Sequence, residues 1–519
     1  MTKSDSAFTR FSTALLWAVP ILFVFFYDLT IPLVGPDEPR YAQVAREMFE
    51  RNDWITPTLG GFNWFEKPAL LYWLEIASYN LFGVSEFSAR FGSVLFGLGT
   101  IGALYLLGKQ QDGTNNEQPA TNKFSFWITL IAGSTIGIIA FSHGASFDIV
   151  LTFPMTAALV AYYLHDSGGR TLHLVAFYFF VGLALLAKGL VGIVFPIGIV
   201  GLYHLISLKL PSGKVLLSVF WGTVLAAVVA APWYVPMYLR HGYEFIDQFF
   251  IQHHFQRYTS NKYLHPQPFY FFLWVLPLMT IPWIPFFVAA LWRFGRRLVA
   301  NEKDSRSSLR LFAFAWMALP VLFFSFSGSK LPGYILPAVP ATIILTADLV
   351  YDFITGHRRR ALAIKVVAAA TFAILVVAMT FFVPSFAESD SVKSLFASAN
   401  SRGWDKTPVV MLHGVSHNAE FYAPGRLVRE ADGKLKRLYG PLEVKREIEI
   451  RNGAPMLVLV PPVYFYQLKQ TPSLTTDVVG ENGEWVLVYV TLNSQPPVGS
   501  DPSAPRRSLL RRPTRRQSS

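Results

Sequence analysis

Apolar windows alternate along this chain with short polar loops. Windows of roughly 17–25 residues, the length that carries a helix across hydrocarbon, begin near Phe11, Phe87, Phe124, Ile149, Leu172, Leu190, Val215, Phe269, Leu311, Tyr334 and Ala361. The pattern predicts about eleven transmembrane helices. Two stretches break the rhythm. Between the first two windows, in GPDEPRYAQVAREMFERNDWI, Tyr41, Val44, Ala45 and Met48 recur at i, i+3, i+4 and i+7, with Gln43, Arg46, Glu47 and Glu50 on the other side. That is an amphipathic helix lying at the interface. A second surface segment follows, GFNWFEKPALLYWLEIASYNLFG, whose aromatics suit headgroup depth. After Pro384 the runs TPVVMLHG, PMLVLVPP and EWVLVYVTL are short, β-type and bounded by Gly or Pro. The expected organisation is a transmembrane region over 1–384 with juxtamembrane helices in 35–86, a small α/β domain over 385–493, and a disordered basic Pro/Ser/Arg-rich tail over 494–519.

Composition agrees. With 52% hydrophobic and 15% charged residues and a mean hydropathy of +0.37, the chain is an α-helical polytopic membrane protein and not a soluble globule. The net charge of +12 does not point to nucleic acid, because much of the excess sits in short loops and in the tail. Lys109 and Lys123, Arg170, Lys209 and Lys214, Arg293, Arg296 and Arg297, and Arg358, Arg359 and Arg360 fall in alternate loops. The positive-inside rule then puts the N-terminus in the cytoplasm and the loop over 35–86, together with the small domain, outside. Cysteine is absent, which excludes a disulfide framework, a thiol nucleophile and a thiolate metal site. The first window is longer than a signal-peptide core and lacks a small-residue cleavage site, so it is expected to stay as a span.

The chemically suggestive residues share the outer face. Asp37 and Glu38 begin the amphipathic helix; they either complement its dipole, worth about 0.3–1 kcal/mol, or work in a site. Asp148 stands where the fourth span begins, and an acid at that depth is costly unless it faces protein or water. Lys67 is either an ion-pair partner of Glu66 or a point charge for phosphate. Lys188 occupies a tight turn. The loop FFIQHHFQRYTSNKYLHPQPFYFF collects His253, His254, Arg257, Lys262 and His265; these touch lipid headgroups, or a histidine joins Glu66 on a divalent metal, although no ligand spacing singles that out. In SGSKLPGYILP, Lys330 and Tyr334 are about one helical turn apart around Pro332 and Gly333, and irregular backbone at membrane depth is tolerated where it lines a cavity. Carboxylates, fixed cations and aromatics on one face fit glycosyl transfer from a lipid-phosphate sugar, with a carboxylate as general base. A transporter or flippase, the rival class, favours internal repeats and midplane charges, neither of which is evident. An envelope scaffold leaves the dense loops unexplained.

DEPRYAQVAREM, FEKPALLYW, the LAKG turn, HHFQRY and SKLPGYILP, in that order, resemble bacterial members of the dolichyl-phosphate-mannose protein mannosyltransferase superfamily, especially lipid A 4-amino-4-deoxy-L-arabinose transferases. The likeness runs to about Ala361. It implies a C-type (GT-C) polytopic glycosyltransferase of the bacterial inner membrane that takes its sugar from undecaprenyl phosphate on the periplasmic side. Lipid A or another glycolipid is the implied acceptor, and a protein acceptor the near alternative. The resemblance further implies Asp37 as the essential acid, and the residues read by themselves add Asp148 and Glu38 as catalytic candidates. By the same resemblance Arg40, Lys67 and Tyr334 would meet the lipid phosphate, and Lys188 and Arg257 match family positions; with Lys330, from its turn, they complete the expected phosphate-binding set. Glu66 with a loop histidine, His253, would be a divalent-metal site. This chain reads DEPRY where those transferases read DETRY, and has fewer spans, which bears on the sugar and acceptor more than on the reaction class.

Overall fold

The computed structural model describes residues 16–113, 122–256 and 267–493. Six helices there are long and apolar enough to cross a membrane, and two bent pairs raise the number to eight. Three shorter apolar helices, Leu16–Phe26, Leu172–Lys188 and Val191–Ser207, fill the remaining predicted windows. Two windows are not straight rods. Phe124–Gly133 and Ile136–Ser142 meet at 54°, and Phe271–Met279 and Ile284–Val299 at 119°. In the first, Ser134 and Thr135 at the break turn their hydroxyls onto carbonyls one turn back; in the second, Pro282 lies in the break and cannot donate to a continuous helix.

One end of the bundle is an ion-pair network. Arg293 and Arg306 bond Asp352, and Arg310 bonds Asp304 and Asp348. Tyr203 ties Asp166 to Ser308, and Tyr351 donates to the Asn122 carbonyl. The basic loops therefore gather together, away from the loop over 35–86.

At the other end the amphipathic stretch forms the helix Glu38–Glu50. Tyr41, Ala42, Val44, Ala45 and Met48 are all buried, as its period required. The Tyr41 ring meets Phe147 edge-on at 4.8 Å, and Tyr79, from the helix Leu70–Phe82, donates to the Ala42 carbonyl. Between these helices a hairpin of β1 (Thr58–Leu59) and β2 (Phe62–Asn63) is anchored by Glu47, which accepts from Thr58 Oγ1 and from the Gly60 and Gly61 amides.

The C-terminal domain is a five-stranded mixed sheet with helices. Its strands are β3 (Val409–Leu412), β4 (Arg437–Leu438), β5 (Met456–Val460), β6 (Leu474–Glu481) and β7 (Val486–Leu492), in the order β4-β3-β5-β7-β6. The three runs read from the sequence are β3, β5 and β7, the central strands; their near-continuous apolar runs are buried on both faces. The two edge strands escaped that reading, β4 being two residues long and β6 carrying an exposed polar face.

Candidate active site

The domain closes over the turn that carries Asp37. The Gly35 amide donates to Asp390 Oδ2 at 2.6 Å, the Leu33 amide to the Tyr422 hydroxyl at 2.8 Å, and Arg46 Nη1 to the Phe421 carbonyl at 2.9 Å. Tyr422 in turn donates to Glu86. The chain on both sides of Asp37 is thus held by residues almost 400 positions away.

Asp37 itself accepts from Arg40 Nη2, and its side chain is 50% exposed. It stands at the start of the helix yet makes no side-chain capping bond. It thus does not act as a side-chain cap, and its charge beside the helix dipole is the structural alternative to a role in the site. Arg40 also donates to the Pro36 carbonyl at 2.7 Å, and its guanidinium lies 5.7 Å from the Trp64 ring centre. Glu66 and Lys67 pair at 2.8 Å, both largely buried.

Glu38 is different. Its side chain is buried against Arg90, with Nε to Oε1 at 2.7 Å and Nη2 to Oε2 at 2.9 Å. It also accepts from the Val34 and Ala145 amides at 2.9 and 3.0 Å. Four donors occupy its oxygens, a placement that suits a structural anchor. Arg90 escaped the sequence reading. An arginine four residues into an apolar window calls for a buried partner, and that was the missed signal.

A second cluster lies beside the first. Asp148, in the first turn of the helix Phe147–Asp166, pairs with Lys188 at the end of Leu172–Lys188. Lys188 Nζ sits 5.2 Å from the Tyr334 ring centre. Gly333 is needed there, because a Cβ would come within 1.9 Å of Asp148 Oδ2. The Tyr41–Phe147 contact joins the two helices that carry the clusters. Lys330, expected in the phosphate set, is buried and donates to the Ser327 and Gln267 carbonyls at 2.7 and 3.0 Å, a placement that suits a strut of the turn. Arg257, Lys262 and His265 lie outside the described residues.

Glu66 and His253 line one cleft of about 510 Å³ together with Arg40 and with His417 from the C-terminal domain. Among the described residues, no group of three or more His, Cys, Asp or Glu is gathered as a metal site. His417 also escaped the sequence reading; its only signal was a polar HN pair following a buried strand. Burial first, then Arg40 and Arg429, pushes its imidazole down to about 4, Asp37 acting in the opposite sense. An unfolded histidine protonates near 6.5, so this contribution to stability is complete above that pH and is lost as pH falls towards 4. The melting temperature in detergent is expected to fall between pH 6.5 and 4, and to fall less in His417→Gln.

Bent spans, juxtamembrane helices and acids ringed by cations at one membrane face define a polytopic membrane glycosyltransferase. Residues 12–243 match the family model described as dolichyl-phosphate-mannose-protein mannosyltransferase. The undecaprenyl phosphate-alpha-4-amino-4-deoxy-L-arabinose arabinosyl transferase of Aeromonas salmonicida is 30% identical over 414 residues, covering 77% of this chain and 73% of that protein. That of Aeromonas hydrophila is 30% identical over 417 residues with the same coverage. The chain belongs to this transferase family. In fold it resembles the crystal structure of ArnT from Cupriavidus metallidurans bound to undecaprenyl phosphate, with a TM-score of 0.74, 23% identity, and 92% and 98% of the two chains covered. The arabinofuranosyltransferase AftD from Mycobacteria is more distant, with a TM-score of 0.53, 12% identity, and 94% and 40% covered.

Proposed function

We propose that the chain moves a sugar from an undecaprenyl-phosphate donor to lipid A or another envelope glycolipid at the periplasmic face of the inner membrane. The observation that carries this is the half-exposed Asp37 carboxylate, held by Arg40, on a helix that packs through Tyr41 on the helix carrying Asp148, itself paired with Lys188 beside Tyr334. Asp37 takes the proton of an acceptor hydroxyl as the oxygen attacks the anomeric carbon. The bond from that carbon to the phosphate oxygen breaks, and the lipid phosphate leaves with the electron pair. Arg40, Lys67 and Tyr334 meet its charge, with Lys188 beside them. Glu38 and Lys330 act by holding the backbone. Glu66 and His253 are the donors available to a divalent ion, and no step is assigned to one. Lipid A and envelope glycolipids compared by mass spectrometry, with and without the protein, test the reaction: loss of one sugar-modified species on deletion is the expected result, and identical profiles count against it.

Charge-assisted contacts are worth about 1.5–3 kcal/mol each, so Lys67→Ala should weaken donor binding by roughly one to two decades. Unchanged donor affinity in both Lys67→Ala and Arg40→Ala would remove the clamp. Orientation is tested separately. A reporter active only in the periplasm should give signal when fused after Asn493 and none when placed in the loop over 293–308; the reverse pattern inverts the active face.

A further inference from the structure

The cleft shared by the first loop and the C-terminal domain has Arg40 and Glu66 at one side, and a wall of Phe62 and residues 415–435 that the transfer step does not use. Its charged lining balances: Arg40, Arg429 and Lys434 face Glu66, Glu420 and Asp432. Each of the six also has an ion-pair partner, through Arg40–Asp37, Glu66–Lys67, Arg429–Glu420 and Lys434–Asp432. A pocket for a bare phosphate keeps excess positive charge; this one presents donors and acceptors side by side, the arrangement that hydroxyls satisfy. Phe62 and Trp64 supply aromatic surface, and Phe62 is 42% exposed despite its size. His417 Nδ1 is buried and has no hydrogen-bond partner among the described residues. A buried polar atom without a partner needs an explanation, and a ligand seated in the cleft supplies one. At about 510 Å³ the space lies within the ~300–1,000 Å³ typical of small-molecule sites. The walls also fit each other closely. A Cβ at Gly60 would lie 2.0 Å from Arg429 Nε, and one at Gly433 2.6 Å from Phe62 Cγ.

We propose that this cleft is a saccharide subsite that seats the sugar headgroup of the acceptor, and that the edge of the C-terminal domain over residues 415–435 supplies its specificity. It rests on the glycosyl-transfer reading above. The donor's lipid chain must lie among the apolar spans, which brings its phosphate to the span ends where Lys188 and Tyr334 stand. Arg40 brings that phosphate to one side of the cleft, and the side walled by the hairpin and the C-terminal domain is left for the second substrate. The aromatic faces cover the sugar's C–H surfaces, and the paired charges and His417 meet its hydroxyls.

The test uses the full chain in detergent, a short-chain acylated glucosamine disaccharide as acceptor, and Phe62→Ala and His417→Ala. Acceptor KM should rise about tenfold or more, the loss of one such contact, while donor KM stays within about twofold. Saturation-transfer NMR with chitobiose, recorded without donor, gives a second readout: signal in the wild type and loss in Phe62→Ala. Unchanged acceptor KM with retained chitobiose signal overturns the subsite. A rise in donor KM instead assigns the cleft to the donor's sugar and overturns the acceptor assignment. If the wild type transfers no sugar from any polyprenyl phosphate but chitobiose still binds and is lost in the variants, the reaction reading fails while the saccharide site stands.

Discussion

Asp37→Asn is expected to cut turnover about 10²–10⁴-fold, or about 2.7–5.5 kcal/mol of barrier, with protein level and melting temperature close to wild type. The amide keeps the size of the carboxylate and can still accept a hydrogen bond from Arg40, but it cannot take a proton from a hydroxyl. Stability should hold because Asp37 makes no capping bond and its side chain is half in solvent. Asp148 is the rival. It is paired to Lys188, only 22% exposed, and closely backed by Gly333, which suits a group that orients Lys188 better than one that shuttles protons. Asp148→Asn assayed in parallel decides between them. Near-normal turnover in Asp37→Asn with none in Asp148→Asn would move the base to Asp148.

The spans and the amphipathic helix were legible because burial imposes a period, and the Tyr41, Val44, Ala45 and Met48 stripe is buried as its spacing requires. Asp37, Arg40 and Glu66 could be singled out because charge beside apolar windows is costly and therefore conspicuous. What could not be read was pairing across distance. Nothing local to Gly35 announces Asp390, and nothing near Glu38 announces Arg90, although both contacts are direct. The same holds for His417. A histidine after a short strand is unremarkable until the fold sets it in one cleft with Arg40. Lys330 shows the opposite case: its motif looked chemical, yet its ammonium is taken up by backbone carbonyls.

Arg90→Met is expected to give the largest loss of stability, about 3–5 kcal/mol, the usual consequence of removing one partner of a buried ion pair. Arg90 also donates to the carbonyls of Leu29, Ile31 and Pro32 at 3.0, 2.6 and 3.0 Å. It therefore ties the end of the first span to Glu38, one residue beyond the proposed base. Removing it leaves a buried carboxylate with only two amide donors, close to Glu75, whose own carboxyl is pushed well up by burial and then by Glu38. Glu38→Gln should be milder, because Arg90 keeps its three carbonyl acceptors. In Glu38→Leu combined with Arg90→Met the stranded charge is gone, so part of the stability should return, while the lost carbonyl contacts keep it below wild type. Thermal melts of the four proteins in detergent measure these differences. In the two single variants turnover should fall in step with the loss of order around Asp37, with donor affinity less affected. A melting temperature unchanged in Glu38→Gln, together with a turnover loss as deep as that of Asp37→Asn, would contradict the anchor and return Glu38 to the chemistry.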